Sequence, residues 1–200
     1  MISVTEPEYW EQRYQQKTTR WDLGQAAPAF VSLLNSPQAP QPGLAAVLGS
    51  GRGYDAITFA AFGFDVIGFD FATLATTEAT QLAEQQQSSA KFLQRDIFDL
   101  PAEFPHHFNY AIEHTCFCAI NPEQRPNYVQ VVKQILQPQG ELIAVFFTHG
   151  RAGGPPFGVT PEAIRAYFAA DFEILTLQPV TNSVSERQGE EHFGRFRLKK

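Results

Sequence analysis

The sequence predicts an α/β fold in which a mostly parallel, seven-stranded sheet carries helices on both faces. Three observations favour this fold. Short apolar runs of strand length alternate with segments of helical spacing from residue 44 onward. A glycine-rich turn follows the first apolar run, at the place where a strand of such a sheet passes into its helix. The last two apolar runs have no helical segment between them, so we expect a hairpin with one antiparallel strand.

The elements are predicted as follows. The first 25 or so residues have helical spacing, with Trp10, Tyr14 and Trp21 near one face, and a short helix follows over 27–34. Three prolines then mark a loop before residue 44. Strands are predicted at 44–48, 64–70, 91–95, 108–112, 141–147, 174–178 and 193–198. Helices are predicted between them at 55–62, 73–87, 127–136 and 160–170, the last beginning with an N-cap threonine followed by proline. We therefore expect one domain over 1–200, with a helical lid and loop over 1–43 and an α/β core over 44–200.

Composition limits the partners. Lys and Arg number 15 against 21 Asp and Glu, and the net charge of −6 disfavours a nucleic-acid partner. No apolar stretch has the length of a membrane span, and the N-terminus lacks the pattern of a signal peptide. Two closely spaced cysteines suit a reducing compartment, so we expect a cytoplasmic protein, and a monomer, with no membrane partner. The 18 phenylalanines against a single methionine predict a core or pocket built from rings.

Three features follow the first three strands, at the edge of the sheet where ligands of such folds bind. Gly49 and Gly51 lie in the turn after the first strand, where glycine lets the backbone approach a ligand closely. Asp70 ends the second strand and is placed to accept hydrogen bonds from ribose hydroxyls. After the third strand, Asp96 is placed to meet an adenine amino group and Ile97 to pack on the ring. Together they predict a nucleotide-like cofactor.

The spacing of the glycines distinguishes between cofactors. A dinucleotide fold calls for G-x-G-x-x-G, whereas here the third glycine, Gly53, comes one residue early and Tyr54 takes its place. No Lys-Ser/Thr pair follows, so the turn is not a phosphate-binding P-loop. The pattern favours S-adenosylmethionine over NAD.

At this point the sequence resembles a known family. The stretches 47–55 and 66–70 look like the cofactor motifs of the thiopurine S-methyltransferase family, and the chain is most similar to its halide/thiol (thiocyanate) methyltransferase branch. More specific likenesses lie at residues 10–14, 21–28, 117–126, 153–159 and 189–195. The resemblance covers nearly the whole chain from about residue 8. It implies a Rossmann-like, class I S-adenosylmethionine-dependent methyltransferase fold.

The resemblance also implies a set of cofactor contacts. Carried over residue by residue, these are Trp10, Tyr14, Trp21, Gly49, Asp70, Asp96, Ile97 and His114. The sequence departs from the pattern at three of the positions around this set: Tyr14 replaces a tryptophan, His114 stands where tyrosine is expected, and Glu113 replaces an aspartate. The rings of the N-terminal segment have a physical use, because the face of an aromatic ring attracts a cation such as a sulfonium.

The expected reaction is methyl transfer to a small soft nucleophile: a thiol, bisulfide, thiocyanate or a halide. An anionic nucleophile needs positioning and loss of its water shell rather than a general base. The expected pocket consists of Phe117, Cys118, Phe146, Pro156 and Phe157. Arg195 is expected to offset the negative charge of the acceptor, and His114 or His149 to accept a proton from a neutral thiol.

Other interpretations of the sequence stay open. A methyltransferase with a larger acceptor, such as an aromatic thiol, an oxidised metalloid or an amine, is suggested by Glu113 and His114. A module that binds S-adenosylmethionine without turnover is suggested by the scarcity of proton-transfer groups. Cys116 and Cys118 have no second pair of metal ligands, and His106 and His107 read as solvated, so no metal is expected.

Overall fold

The strands of the computed structural model, which describes residues 2–200, form one seven-stranded sheet. In chain order they are β1 Leu44–Leu48, β2 Asp65–Asp70, β3 Lys91–Gln94, β4 Phe108–His114, β5 Leu136–Phe147, β6 Phe172–Pro179 and β7 Glu191–Leu198. The spatial order is β3-β2-β1-β4-β5-β7-β6. The first five strands pair in parallel, whereas β7 runs antiparallel to both β5 and β6. The predicted fold class, including the antiparallel hairpin at the end, is confirmed.

Eight helices connect or cover the strands in the described part of the chain. They are α1 Pro7–Gln15, α2 Pro28–Leu34, α3 Tyr54–Ala61, α4 Thr73–Gln85, α5 Leu100–Glu103, α6 Cys116–Ala119, α7 Arg125–Ile135 and α8 Pro161–Phe168. Short 3-10 turns occur at Ile97–Asp99, Pro122–Gln124 and Ser185–Arg187. The hydroxyl of Thr160 accepts a hydrogen bond from the Ala163 N–H at the start of α8, which confirms the predicted N-cap.

The structure adds two short helices that were not predicted, α5 and α6, and differs clearly from the predicted bounds of two other elements. The N-terminal helix ends at Gln15, well before residue 25, because Lys17 adopts a left-handed conformation with φ of 54° and turns the chain. Trp21 therefore lies in a turn rather than on the helix. Strand β5 begins at Leu136 rather than at residue 141, because Leu136 pairs with Phe108 ahead of a register shift in β4.

Aromatic rings fill both sides of the sheet, as the phenylalanine content predicts. On one side Phe117, Phe146 and Phe168 are buried and in mutual ring contact. On the other side Phe30 and Phe59 pack edge to face, with centroids 5.4 Å apart. Because both faces of the sheet are covered, accessible polar side chains lie at the carboxyl ends of the strands. No helix among residues 2–200 combines the length and apolar character needed to cross a membrane.

Candidate functional site

A cleft of about 960 Å³ lies over the carboxyl ends of β1 to β5. The strand order places these ends side by side, from β3 at one end of the cleft through β2, β1 and β4 to β5 at the other. A cleft of this size accommodates one cofactor and a small second molecule. The side chains that follow these strands therefore line the cleft in the spatial order of the strands.

The glycine turn forms the floor of the cleft between β1 and α3. Gly51 has a φ of +52°, and a Cβ at this position would lie 3.2 Å from the hydroxyl oxygen of Tyr14. Gly53 has a φ of +82°, and a Cβ there would lie 2.5 Å from the ring of Phe92. The turn thus leaves its backbone open to a ligand on one side and packs tightly against β3 on the other.

Asp70 ends β2 directly beside the glycine turn. Its carboxylate accepts hydrogen bonds from the N–H of Gly51 at 2.9 Å and from the N–H of Ala72 at 3.0 Å. Burial raises the pKa of Asp70 to about 6, although the backbone N–H donors oppose the shift. The carboxylate has further lone pairs that can accept from a vicinal diol.

Asp96 follows β3 at the far end of the cleft. Its carboxylate accepts a hydrogen bond from the Phe98 N–H at 3.0 Å, and burial raises its pKa. Ile97 and Phe98 line the cleft beside it. This end of the cleft therefore offers an acceptor next to apolar surface, which suits an aminated aromatic base.

Three rings from the N-terminal segment cover the cleft. The ring centroids of Trp10 and Trp21 are 5.3 Å apart, and those of Tyr14 and Trp21 are 5.8 Å apart, in edge-to-face contacts. Glu11 on the same helix accepts a hydrogen bond from the Leu74 N–H and fixes the segment to α4. Burial, together with the Asp70 carboxylate, raises the pKa of the Tyr14 phenol, which keeps the ring neutral. The segment supplies ring faces close to Asp70.

The opposite end of the cleft is lined by Cys118, Phe147 and Pro156. Burial raises the pKa of the Cys118 thiol to about 12, so the group presents a neutral, soft surface rather than a thiolate. The structure does not bring Phe117, Phe146 and Phe157 to this surface, and Phe146 is buried in the core. The Phe117 ring is buried in the core, so the prediction that it lines the pocket is corrected, and the Phe157 N–H donates to the Cys118 carbonyl from behind the wall.

Two stretches that carry the family resemblance, 117–126 and 153–159, meet in space here. The guanidinium of buried Arg125 donates to the carbonyl oxygens of Phe157 and Gly158, each at 3.0 Å. It also lies over the Phe117 ring, 5.1 Å from its centroid. The segment that carries Cys118 and the proline-rich loop are therefore held in one arrangement, although Phe117 and Phe157 themselves do not line the cleft.

Arg195 lies away from the cleft. Its guanidinium bonds the Glu141 carboxylate at 3.0 and 2.6 Å and the Gln38 carbonyl at 3.0 Å. The reason is the direction of β7: Glu191 pairs with Phe147 at the cleft, and because the strand is antiparallel Arg195 lies about 13 Å farther down the sheet. The expectation that Arg195 offsets the charge of the acceptor is corrected.

His114, which the sequence predicts as a site residue, has charged partners at the cleft that the sequence did not single out. His114 at the end of β4 bonds the Asp55 carboxylate through Nδ1 at 2.7 Å and meets Arg187 at Nε2 at 3.2 Å. Arg187 also donates to Glu191 at 3.2 Å and to the carbonyl of Trp21. These residues come from the N-terminal segment, α3, β4, the turn before β7 and β7 itself, so no local spacing reveals that they meet.

The remaining candidates do not form a second centre. His149 is buried, its Nδ1 accepts from the Arg151 N–H, and it does not line the cleft. Burial lowers the pKa of His149. Cys116 lines the cleft as a free thiol whose pKa burial raises well above its ordinary value. Among residues 2–200 no group of three or more His, Cys, Asp or Glu side chains is placed to hold a metal ion.

A model of the family described as thiopurine S-methyltransferase (TPMT) matches residues 5–199. The chain belongs to this family. Its membership confirms the resemblance seen in the sequence and makes the protein a methyltransferase whose methyl donor is S-adenosylmethionine. Four of the residues that the sequence predicts to contact the cofactor, Gly49, Gly51, Asp70 and Asp96, line the cleft together.

Members and structural neighbours agree with this assignment. A probable thiol methyltransferase 2 of Arabidopsis thaliana is 32% identical over 193 residues, covering 94% of this chain and 84% of the relative. A thiocyanate methyltransferase 1 of Brassica oleracea is 32% identical over 196 residues with the same coverage. The structure of a 1,6-didemethyltoxoflavin-N1-methyltransferase of Burkholderia thailandensis shares the fold, with a TM-score of 0.80, 17% identity and coverage of 98% and 88%.

Proposed function

We propose that the protein transfers a methyl group from S-adenosylmethionine to a small soft nucleophile: a thiol, bisulfide, thiocyanate or a halide. The observation that carries the proposal is the acceptor end of the cleft, where Cys118, Phe147 and Pro156 form an apolar wall. Such a surface removes water from a soft nucleophile and makes few demands on its shape. The names of the thiol and thiocyanate methyltransferases that align with nearly the whole chain support the same acceptors.

The order of side chains along the cleft suggests how the donor lies. We propose that Asp96 and Ile97 hold the adenine, Asp70 the ribose, and Gly49 and Gly51 the linkage to the methionyl group. That arrangement directs the sulfonium toward the end of β4, beneath the rings of the N-terminal segment. A cation between ring faces is stabilised by about 0.5–2 kcal/mol, more where water is excluded.

The protein's part in the reaction is positioning. The donor supplies an activated methyl group, and displacement leaves a neutral thioether. The wall around Cys118, fixed by Arg125, holds the acceptor in line and strips its water, and intramolecular positioning of this kind lowers barriers by several kcal/mol. An acceptor that is already anionic needs no proton-transfer group.

We propose that residues 1–43 act as the lid of a single domain over 1–200. The contacts of Arg187 with the Trp21 carbonyl and of Arg52 with Asp22 support this, because they tie the N-terminal segment to the core beside the cleft. We further propose a cytoplasmic monomer without nucleic-acid or membrane partners. The net charge of −6 supports the first exclusion, and sedimentation of the purified protein tests the oligomeric state.

The test is an acceptor series. The protein is incubated with S-adenosylmethionine and, separately, with iodide, thiocyanate, bisulfide, a small alkanethiol and an aromatic thiol. Headspace analysis for methyl iodide, methyl thiocyanate, methanethiol and the alkyl sulfides is expected to show products, with the small acceptors giving the larger kcat/KM. A preference for the aromatic thiol would favour a larger acceptor, and binding of S-adenosylhomocysteine without any product would favour a binding module.

A further inference from the structure

Four charged or titratable side chains form a buried cluster at the acceptor end of the cleft: His114, Asp55, Arg187 and Glu191. The exposed fractions of their side chains are 10%, 13%, 8% and 3%, respectively. His114, Asp55 and Arg187 also line the cleft. The cluster is thus shielded from bulk water and in reach of a molecule bound at this end.

The hydrogen bonds define the state of the imidazole. The Asp55 carboxylate, which also accepts from the Ala27 N–H at 2.8 Å, faces Nδ1, so Nδ1 carries a proton and donates. Arg187 has only donors and faces Nε2, so the Nε2 lone pair accepts. The carboxylate therefore orients a neutral imidazole whose basic nitrogen, Nε2, faces Arg187, a residue that also lines the cleft. A carboxylate–histidine pair has the same arrangement in general-base catalysis.

The charges around the imidazole favour its protonation. Arg187 contributes a positive charge, whereas Asp55 from α3 and Glu191 from β7 contribute negative charges, with Glu191 Oε1 4.0 Å from Nε2. The neighbouring Glu113 directs its carboxylate to the Phe117 N–H and the Tyr128 hydroxyl. Burial and the charge of Arg187 lower the pKa of His114, but the carboxylates of Asp55 and Glu191 together raise it overall. With a neutral imidazole the cluster has two carboxylates and one guanidinium, so one more proton would make its net charge zero.

Resting on the function proposed above, we propose that the acceptor is a neutral thiol and that His114 Nε2 takes its proton. The S–H proton moves to Nε2, the thiol sulfur forms its bond to the methyl carbon, and the bond from that carbon to the sulfonium sulfur breaks. The electron pair of the broken bond stays on the donor's sulfur, which becomes a neutral thioether. Arg187 gives up its hydrogen bond to Nε2 as the proton arrives and retains its bond to Glu191, the imidazolium pairs with Asp55, and the proton later passes to solvent.

The test compares a thiol with an acceptor that has no proton to lose. The His114→Asn variant keeps an amide N–H that can donate to Asp55 but has no Nε2. Its kcat/KM for ethanethiol is expected to fall roughly 100-fold or more, as for loss of a general base, and to fall at least about tenfold further than its kcat/KM for thiocyanate, because any effect on the cofactor acts on both acceptors alike. The matched control is His107→Asn, the same substitution just before β4, at the edge of the sheet away from the cleft.

A second readout is independent of turnover. The imidazole of His114 is titrated by NMR in the protein with S-adenosylhomocysteine added, and its midpoint is expected above that of an ordinary histidine. The Asp55→Asn variant is expected to lower this midpoint. A His114 that stays neutral down to pH 5 would overturn the inference.

The kinetic outcomes separate this inference from the proposed function. A wild-type protein that methylates thiocyanate but not ethanethiol overturns the inference alone, and so does a His114→Asn variant that loses both acceptors equally or neither. A wild-type protein that methylates none of the acceptors overturns the proposed function and the inference with it.

Discussion

Replacing Glu113 by glutamine is expected to change how stability depends on pH. Glu113 is completely buried at the end of β4, where its carboxylate accepts from the Phe117 N–H at 3.1 and 3.0 Å and from the Tyr128 hydroxyl at 2.9 Å. Burial raises the pKa of Glu113 from 4.5 to about 7, although those donors oppose the shift. The amide of glutamine fits the same contacts, because its oxygen accepts from the N–H and its NH₂ donates to the hydroxyl.

The magnitude follows from the shift. A folded pKa above the unfolded value means that the contribution of Glu113 to stability is full below pH 4.5 and is lost as the pH rises toward and through 7. Ionising the buried group costs about 3 kcal/mol at the high-pH limit. Between pH 5 and pH 8, the free energy of unfolding of the wild type should fall relative to that of Glu113→Gln by roughly 2–3 kcal/mol.

The assay is urea unfolding followed by tryptophan fluorescence and circular dichroism at pH 5, 6, 7 and 8. Subtracting the two proteins at each pH cancels the titration of other groups, including Asp70. Glu84→Gln, at an exposed position on α4, is the control, and its free energy of unfolding should change with pH as that of the wild type does. If the free energy of unfolding of Glu113→Gln also changes with pH as that of the wild type does from pH 5 to 8, the carboxyl does not have a raised pKa and the reasoning is wrong.

Four further predictions concern the cleft, the glycine turn and the proline-rich loop. Asp70→Asn should weaken S-adenosylhomocysteine binding roughly 10- to 100-fold by calorimetry, because charge-assisted hydrogen bonds are lost. In the wild type that affinity should fall below about pH 6, where Asp70 gains a proton and no longer accepts as an anion. Gly53→Ala should lower the free energy of unfolding by roughly 2–4 kcal/mol in urea, since its Cβ would lie 2.5 Å from the Phe92 ring. Arg125→Met should raise the KM for the acceptor, with cofactor affinity unchanged, because the Phe157 carbonyl loses its donor; unchanged acceptor kinetics would show that the loop holds without it.

The position of the residues that we propose to bind the cofactor could be predicted because their signals are local. The glycine turn, Asp70 and Asp96 each follow directly on an apolar run, and in parallel strands the carboxyl ends meet at one edge of the sheet. The order of the runs was therefore enough to bring these residues together. The resemblance also identified the rings of the N-terminal segment, although the end of α1 at Gln15 was not visible in the spacing.

The acceptor half depended on long-range contacts. Phe117 and Cys118 are neighbours in sequence, yet one side chain lies in the core and the other at the cleft, because a short helix turns them to different sides. Arg195 was misplaced because its distance from the cleft is set by the antiparallel direction of β7. Asp55 and Arg187 meet His114 across 59 and 73 residues.

By itself, the sequence determined the α/β class, the family and the cofactor edge, because hydrophobic period, turn residues and strand-end carboxylates act within a few positions of one another. Only the tertiary structure decided which phenylalanine lines the proposed acceptor end of the cleft, where Arg195 lies, and that His114 is held between Asp55 and Arg187. The physical reason is that side-chain direction and ion pairing across separate elements depend on packing and strand polarity, which short-range patterns do not encode.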